Sequence, residues 1–165
     1  MLLSLALTAS LARAAPSIAQ APTSPDRIAF GFERLTWGMT EPQARGLFPR
    51  LDGAEPDPGQ PSSTLNLEGL AVGGCRFTAT LSFERGRLAE LTLDSNGVAH
   101  LKACGETIKT ALSRQYGGEP GGFSTGTNPH GYSEYGAWRG PVTEVTYAAL
   151  TDGFIAVTFT RTPSR

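Results

Sequence analysis

The stretch from residue 75 to residue 116 constrains the fold most, because it contains a clear strand pattern, a helix pattern and the chain's only two cysteines. Residues 75–83 alternate apolar and polar side chains, which is typical of a strand buried on one face. Further on, apolar residues recur at three- and four-residue steps, as on one stripe of a helix: Leu101, Cys104, Ile108 and Leu112. We therefore predict a β-hairpin followed by a helix over 100–116.

The register of this hairpin follows from where its apolar side chains must lie. Ala89, Leu91 and Leu93 share one face of the second strand. A two-residue turn would direct Leu91 and Leu93 away from the core, whereas a three-residue loop with Gly86 in the left-handed conformation would keep them inside. We therefore predict the longer loop, which pairs Leu81 with Ala89.

The two cysteines fall on surfaces that would face each other. Cys75 lies on the apolar face of the first strand and Cys104 on the apolar stripe of the helix. A disulfide would close a loop of about thirty residues and stabilise the fold by roughly 3 to 4 kcal/mol. The alternative is two unconnected core thiols, since free cysteine is often buried. We predict the disulfide, because residues 1–15 have the composition of an export signal, as described next, and cysteines usually pair in oxidising compartments.

The beginning of the chain has the composition of an export signal. Residues 1–15 contain an apolar run followed by small residues, which predicts a signal peptide cleaved after Ala14 or Ala15, or alternatively after Ala21. No Lys or Arg precedes that run, which departs from the usual pattern. Residues 16–27 are expected to form a disordered lead-in. We find no other stretch near the roughly twenty apolar residues of a transmembrane helix, so we expect an exported, periplasmic or extracellular protein.

Residues 28–165 are predicted to form a single α+β domain. In the first half, residues 28–37 are compatible with a short strand, and Thr40 is a good N-cap for a helix that carries Pro42 in its first turn and Gln43 at the third position. Three strands follow, with a bulge at Gly69 that reconciles two apolar alternations of opposite parity.

The second half repeats this order. After the helix and a loop come three further strands, and the last two form a hairpin that pairs Val145 with Phe159 and Tyr147 with Val157 across a three-residue loop ending in Gly153. We therefore predict an α-βββ-α-βββ fold of two similar halves, 28–96 and 97–165, with the helices packed on antiparallel sheet.

Composition argues against several classes of function. The formal net charge is −1 and the basic residues form no cluster, which weighs against nucleic acid and anionic membranes as partners. The two histidines, His100 and His130, are not accompanied by metal-ligand spacing, and we find no glycine-rich phosphate loop followed by Lys. We predict no metal and no cofactor.

The approach to the first helix, Trp37-Gly38-Met39-Thr40, carries a family resemblance. With the hairpins that follow, it resembles small periplasmic modules of the BamE and β-lactamase-inhibitor-protein type. It is also similar to uncharacterised proteobacterial exported proteins with a Trp-Gly-Met segment and a Cys-led helix ending in Tyr-Gly. The resemblance implies a non-catalytic binding or envelope-assembly module whose partner is another envelope protein. The chain lacks the lipidated cysteine of the BamE type.

The long loop predicted over 117–135 is the candidate binding site. Long loops are often functional, and aromatic side chains on loops are typical of protein-binding surfaces. The residues predicted to bind come from this loop and the strand after it: Phe123, His130, Tyr132, Tyr135 and Trp138.

The alternative function is that of an envelope serine hydrolase. Residues 122–126, Gly-Phe-Ser-Thr-Gly, match the nucleophile-elbow pattern around Ser124, with His130 and Asp152 as conceivable partners. That motif acts only on a sharp turn between a strand and a helix, and here Pro129 follows closely. We therefore favour the non-catalytic function.

Overall fold

The computed structural model describes residues 27–53, 62–95, 101–118, 121–125, 132–150 and 153–162. The leader, most of the lead-in and His100 lie outside the described residues. The elements are α1 (Glu41–Leu47), β1 (Ser62–Val72), β2 (Cys75–Glu84), β3 (Arg87–Ser95), α2 (Leu101–Tyr116), β4 (Gly121–Thr125), β5 (Tyr132–Arg139), β6 (Thr143–Leu150) and β7 (Ile155–Arg161).

All the strands belong to one antiparallel, seven-stranded sheet with the order β1-β2-β3-β7-β6-β5-β4. Two meanders, β1–β3 and β4–β7, are joined in the middle, where Leu91 pairs with Phe159 and Leu93 with Val157. The last strand of the chain therefore lies at the centre of the sheet, and β1 and β4 form its edges.

The predicted α-βββ-α-βββ fold class is wrong. Strands account for 51% of the described residues and helices for 20%, so one continuous sheet dominates the molecule. Residues 28–37 form turns, and the predicted loop contains the edge strand β4. The two halves share one sheet because β3 and β7 each keep a free edge within their own meander, and these edges pair.

The hairpin β2–β3 closes by a different turn from the predicted one. Arg85 and Gly86 form a two-residue turn with φ angles of 50° and 70°, as in a type I′ turn, and Phe83 pairs with Leu88. The register then shifts beyond Ser82, and Leu81 pairs with Leu91. A bulge thus adds one residue to β3, which keeps Leu91 inside despite the short turn.

Two other register predictions are confirmed. The β1–β2 ladder shifts between Leu67 and Leu70, and Gly69 has a φ of 69°. In the last hairpin, Val145 pairs with Phe159 and Tyr147 with Val157.

The helices and the segment 27–39 cover one face of the sheet. In α1, the side chain of Gln43 accepts a hydrogen bond from the Thr40 amide at 2.8 Å, which is half of the predicted capping box. In α2, Cys104, Ile108 and Leu112 are at most 1% exposed. Full burial of an Ile or Leu side chain contributes about 1.5–3 kcal/mol, so this stripe fixes α2 on the sheet.

The predicted disulfide is confirmed. It joins Cys75 in β2 to Cys104 in α2, with a Cα–Cα distance of 5.9 Å and a sequence separation of 29. It lies near the end of the β1–β2 hairpin, since Gly73 in that turn faces Thr107 of the helix. The bond therefore ties the first turns of α2 to the first meander.

The segment 27–39 is held at both of its ends. The carbonyl of Arg27 accepts hydrogen bonds from Gln115 Nε2 and Tyr116 Oη, both at 2.7 Å. At the other end, the Gly38 amide donates to the Leu88 carbonyl at 3.0 Å. The segment therefore bridges the last turn of α2 and the start of β3.

Candidate functional site

Of the five predicted site residues, only Tyr135 and Trp138 have side chains within the described part of the structure. His130 lies outside the described residues, Phe123 belongs to β4 and Tyr132 begins β5. Trp138 is only 2% exposed, and its Nε1 donates to Ser113 Oγ of α2 at 3.3 Å. Tyr135 is half-buried in β5 and lies on the opposite face of that strand.

Ser124 is part of a β-ladder and does not lie on a strand-to-helix turn. Its backbone pairs with that of Tyr135. Both candidate partners, His130 and Asp152, lie outside the described residues. The backbone geometry that gives a nucleophile elbow its strained, exposed serine is therefore not found at this position.

The face of the sheet opposite the helices, here called the open face, is not covered by any described helix or segment. Its side chains alternate with the core residues of the strands, and the registers align them in rows. The central row is Asn66, Thr80, Thr92, Thr158, Thr146 and Ala137; the rows beside it are Ser82, Glu90, Thr160 and Glu144, and Thr78, Asp94, Ala156, Ala148 and Tyr135.

Short hydroxyl side chains dominate the central row. Thr80 Oγ1 donates to Asn66 Oδ1 at 3.0 Å, and the hydroxyls of Thr92 and Thr158 lie 3.4 Å apart. Neighbouring strands are about 4.8 Å apart, so the row presents hydroxyl groups at regular spacing across the sheet. Such a surface offers both donors and acceptors to a partner.

Two carboxylates flank this row on β3, near the middle of the sheet. Glu90 and Asp94 are half-buried, and neither forms an ion pair with any cation of the described residues. Burial raises the pKa of the Asp94 carboxyl. The open face therefore carries negative charge at its centre that the described part of the chain does not neutralise.

Tyr135 lies in the same row as Asp94. Two alanines lie between them: Ala148 pairs with Tyr135 and with Ala156, and Ala156 pairs with Asp94. Three inter-strand steps separate the two, which is about 14 Å. The side chains between the phenol and the carboxylate are therefore small.

A concave surface, here called the Trp37 groove, lies at the end of the sheet where β6 begins and β7 ends. It consists of two adjoining hollows of about 640 and 540 Å³ that share Arg34, Thr36, Trp37 and Leu47. Val142 and Arg161 line the second hollow. Trp37 is half-buried, and its Nε1 donates to Oγ1 of the buried Thr143 at 3.0 Å.

A cluster of charges under α2 is structural. Lys109 Nζ lies 2.8 Å from carboxylate oxygens of both Glu106 and Glu134, and 5.9 Å from the centre of the Tyr147 ring. Burial, with the nearby Glu134, raises the pKa of Tyr147 to about 12. The cluster ties α2 to β5 and β6.

Metal-binding clusters and membrane-spanning helices are both absent from the described ranges. Within the described ranges, no group of three or more His, Cys, Asp and Glu side chains is arranged to hold a metal ion. No helix in the described part of the chain combines the length and the apolar character needed to cross a membrane.

The sequence reasoning missed both surfaces. The alternation in β2 and β7 contains the signal for the open face, since the residues between core positions are nearly all Thr and Ser. The Trp37 groove has no comparable signal, because the segment 27–39 and the strand ends that form it are far apart in the chain.

No protein-family model, no curated protein and no solved structure matches this chain.

Proposed function

We propose that this protein is an exported, non-catalytic binding module that docks another envelope protein on its open face. The observation that carries the proposal is the pair of carboxylates, Glu90 and Asp94, which have no ion-pair partner among the described residues and lie among hydroxyl groups on a sheet face that no described segment covers. A partner that presents Lys or Arg side chains complements this charge. The disulfide supports an oxidising compartment, and the periplasm is the location we propose.

The burial of Asp94 supports a binding role. A carboxylate that is partly desolvated and has no cationic partner destabilises the fold, and such a cost is common where a residue serves recognition. Tyr135, which the sequence had already singled out, shares the row of Asp94. Tyrosine combines a large contact area with a hydrogen-bonding group, as binding surfaces require.

A hydrolase is not the function we propose. The backbone of Ser124 continues an antiparallel ladder, and its candidate partners His130 and Asp152 lie outside the described residues. A Ser124→Ala variant assayed on generic esters should show the same background turnover as the unchanged protein. A turnover that depends on Ser124 would favour the hydrolase.

The binding proposal is tested by site-specific photo-crosslinking in envelope extract. A photoreactive amino acid at Thr158 samples the centre of the open face. The matched control is the same amino acid at Thr110, an exposed threonine on α2 in the other layer. We expect a discrete crosslinked product from position 158 and none from position 110.

Charge removal gives the second arm of this test. The double substitution Glu90→Gln and Asp94→Asn should weaken the product from position 158 by about tenfold or more. Glu106→Gln, an exposed carboxylate on α2, should leave it unchanged. A product that forms equally well at both crosslinker positions, or that survives loss of both β3 carboxylates, would contradict docking on this face.

A further inference from the structure

The Trp37 groove concentrates positive charge on a chain whose net charge is −1. Its second hollow is lined by Arg27, Arg34 and Arg161, with Glu33 as the one acidic residue of the lining. The Glu33 carboxylate already accepts a hydrogen bond from the Gly31 amide at 3.0 Å. None of the three arginines forms an ion pair within the described part of the chain.

Apolar side chains lie beside these guanidinium groups. Trp37 and Leu47 line both hollows, and Val142 lines the second. Val142 is 40% exposed and is the large aliphatic residue that the described surface leaves most open to water. The groove can therefore contact one or two apolar side chains of a ligand, next to the guanidinium groups of the arginines.

The walls of the groove are fixed before any ligand arrives. The Val142 carbonyl accepts a hydrogen bond from the Thr162 amide at 2.9 Å, and Thr162 Oγ1 donates to the Gly140 carbonyl at 3.0 Å. The indole of Trp37 is held by Thr143, and the Arg27 backbone by α2. A preformed site loses less conformational freedom on binding, which favours affinity.

We propose that the Trp37 groove binds an acidic peptide segment in which a carboxylate lies next to an apolar side chain. Guanidinium groups bind carboxylates through two parallel hydrogen bonds, so the arginines fit the acidic residue. The groove is open to solvent and its lining mixes charged and apolar groups, which suits a peptide. An acyl chain is stabilised in proportion to the apolar area that it buries, and a groove open to solvent leaves part of such a chain in water. This inference is independent of docking on the open face.

The test measures binding of a labelled peptide to the full protein. The probe is a fluorescein-labelled peptide, Gly-Glu-Phe-Glu-Leu-Gly, and the matched probe carries Gln in place of both Glu residues. We expect fluorescence anisotropy to show saturable binding of the acidic probe only, weakened by salt because ion pairs near a surface are screened. Sodium dodecanoate serves as the lipid competitor.

Three variants locate the site. Arg34→Gln combined with Arg161→Gln should raise the Kd for the acidic probe about tenfold or more, and Val142→Asp should do the same by repulsion. Arg50→Gln, an exposed arginine that does not line the groove, should leave the Kd within about twofold of the original. The two substituted arginines and Val142 are exposed, so the variants should fold.

Several results would overturn the inference. Equal binding of the acidic and the Gln probe would remove the carboxylate from recognition, and an unchanged Kd in the double arginine variant would remove the groove. Binding of dodecanoate without binding of the peptide would assign the groove to a lipid. None of these results would bear on the crosslinking at Thr158, which reports on the opposite face.

Discussion

At the scale of single residues, the clearest pH effect belongs to Asp94. Burial raises the pKa of its carboxyl in the folded protein, so the fold favours the protonated form. The associated stability is fully present below the unfolded pKa of about 4 and is lost as the pH rises through the folded value. We expect Asp94→Asn to increase the free energy of unfolding at pH 7 and to leave it nearly unchanged at pH 3. Urea unfolding at both values measures this, and an equal effect at both would contradict it.

Two glycines in helices predict opposite effects of the same substitution. A Cβ atom at Gly46 in α1 would meet no atom within 4 Å, so Gly46→Ala should stabilise the protein by about 0.5–1 kcal/mol through helix propensity. A Cβ atom at Gly105 in α2 would lie 2.6 Å from the hydroxyl of buried Tyr147. Gly105→Ala should therefore lower the melting temperature while Gly46→Ala raises it. Two shifts of the same sign would be incompatible with the packing of α2 on β6.

The hydrogen bond from Trp37 to Thr143 predicts an unequal pair of effects. Thr143 is 0% exposed, so Trp37→Phe leaves its hydroxyl without this donor in a site closed to water, at a cost of about 1–3 kcal/mol besides lost packing. In Thr143→Val the group that loses its partner belongs to half-buried Trp37 and not to a fully buried residue, so that change should destabilise less. Denaturant unfolding of both variants measures the difference, and the reverse order would refute this account of the hydrogen bond.

At the scale of elements, we expect the disulfide to be the single link that contributes most to the free energy of unfolding. It closes a loop with a sequence separation of 29, and loss of the bond in Cys75→Ala combined with Cys104→Ala should lower the free energy of unfolding by about 3–4 kcal/mol. Thiol titration of the unchanged, unfolded protein should detect no free sulfhydryl before reduction. Two free thiols in that experiment, or equal stability of the double variant, would contradict the covalent attachment of α2.

Individual elements were predicted better than the connections between them. The helix α2, the disulfide and the Gly69 bulge follow from patterns that each occupy a short stretch. The β2–β3 turn failed because the pattern of Leu91 and Leu93 fixes only which face is buried. Both a three-residue loop and a two-residue turn with a bulge place these leucines inside, and they differ by two residues in register. Parity alone cannot distinguish them.

At the scale of the whole molecule, one sheet should open from its edges. The central strands β3 and β7 are paired on both sides, whereas β1 and β4 each have one neighbour. Amides of β3 and β7 should therefore exchange with deuterium last, and those of β4 first. Hydrogen exchange followed by mass spectrometry measures this order. Protection of β4 equal to that of β7 would show that something outside the described structure covers the edge.

The sheet as a whole was not predictable from the sequence, and neither were its functional surfaces. The pairing of Leu91 with Phe159 leaves no local signal, since each residue satisfies the pattern of its own hairpin equally well. The Trp37 groove depends on the same long-range arrangement, because Arg34 and Arg161 meet only once the last strand is placed. Trp138 was predicted to belong to the binding site because it follows a loop. An aromatic residue at such a position can lie on the surface or in the core, and here the ring lies under α2.

The central position of β7 bears on how the polypeptide acquires its structure during synthesis. Until residues 155–161 have emerged, β3 has an unsatisfied edge and β6 lacks one neighbour, so a nascent chain holds two incomplete meanders. Contacts between such distant segments form late and slowly. Because the ladder of β7 with β3 joins segments far apart in the sequence, we expect the complete sheet to form only after residues 155–161 have left the ribosome.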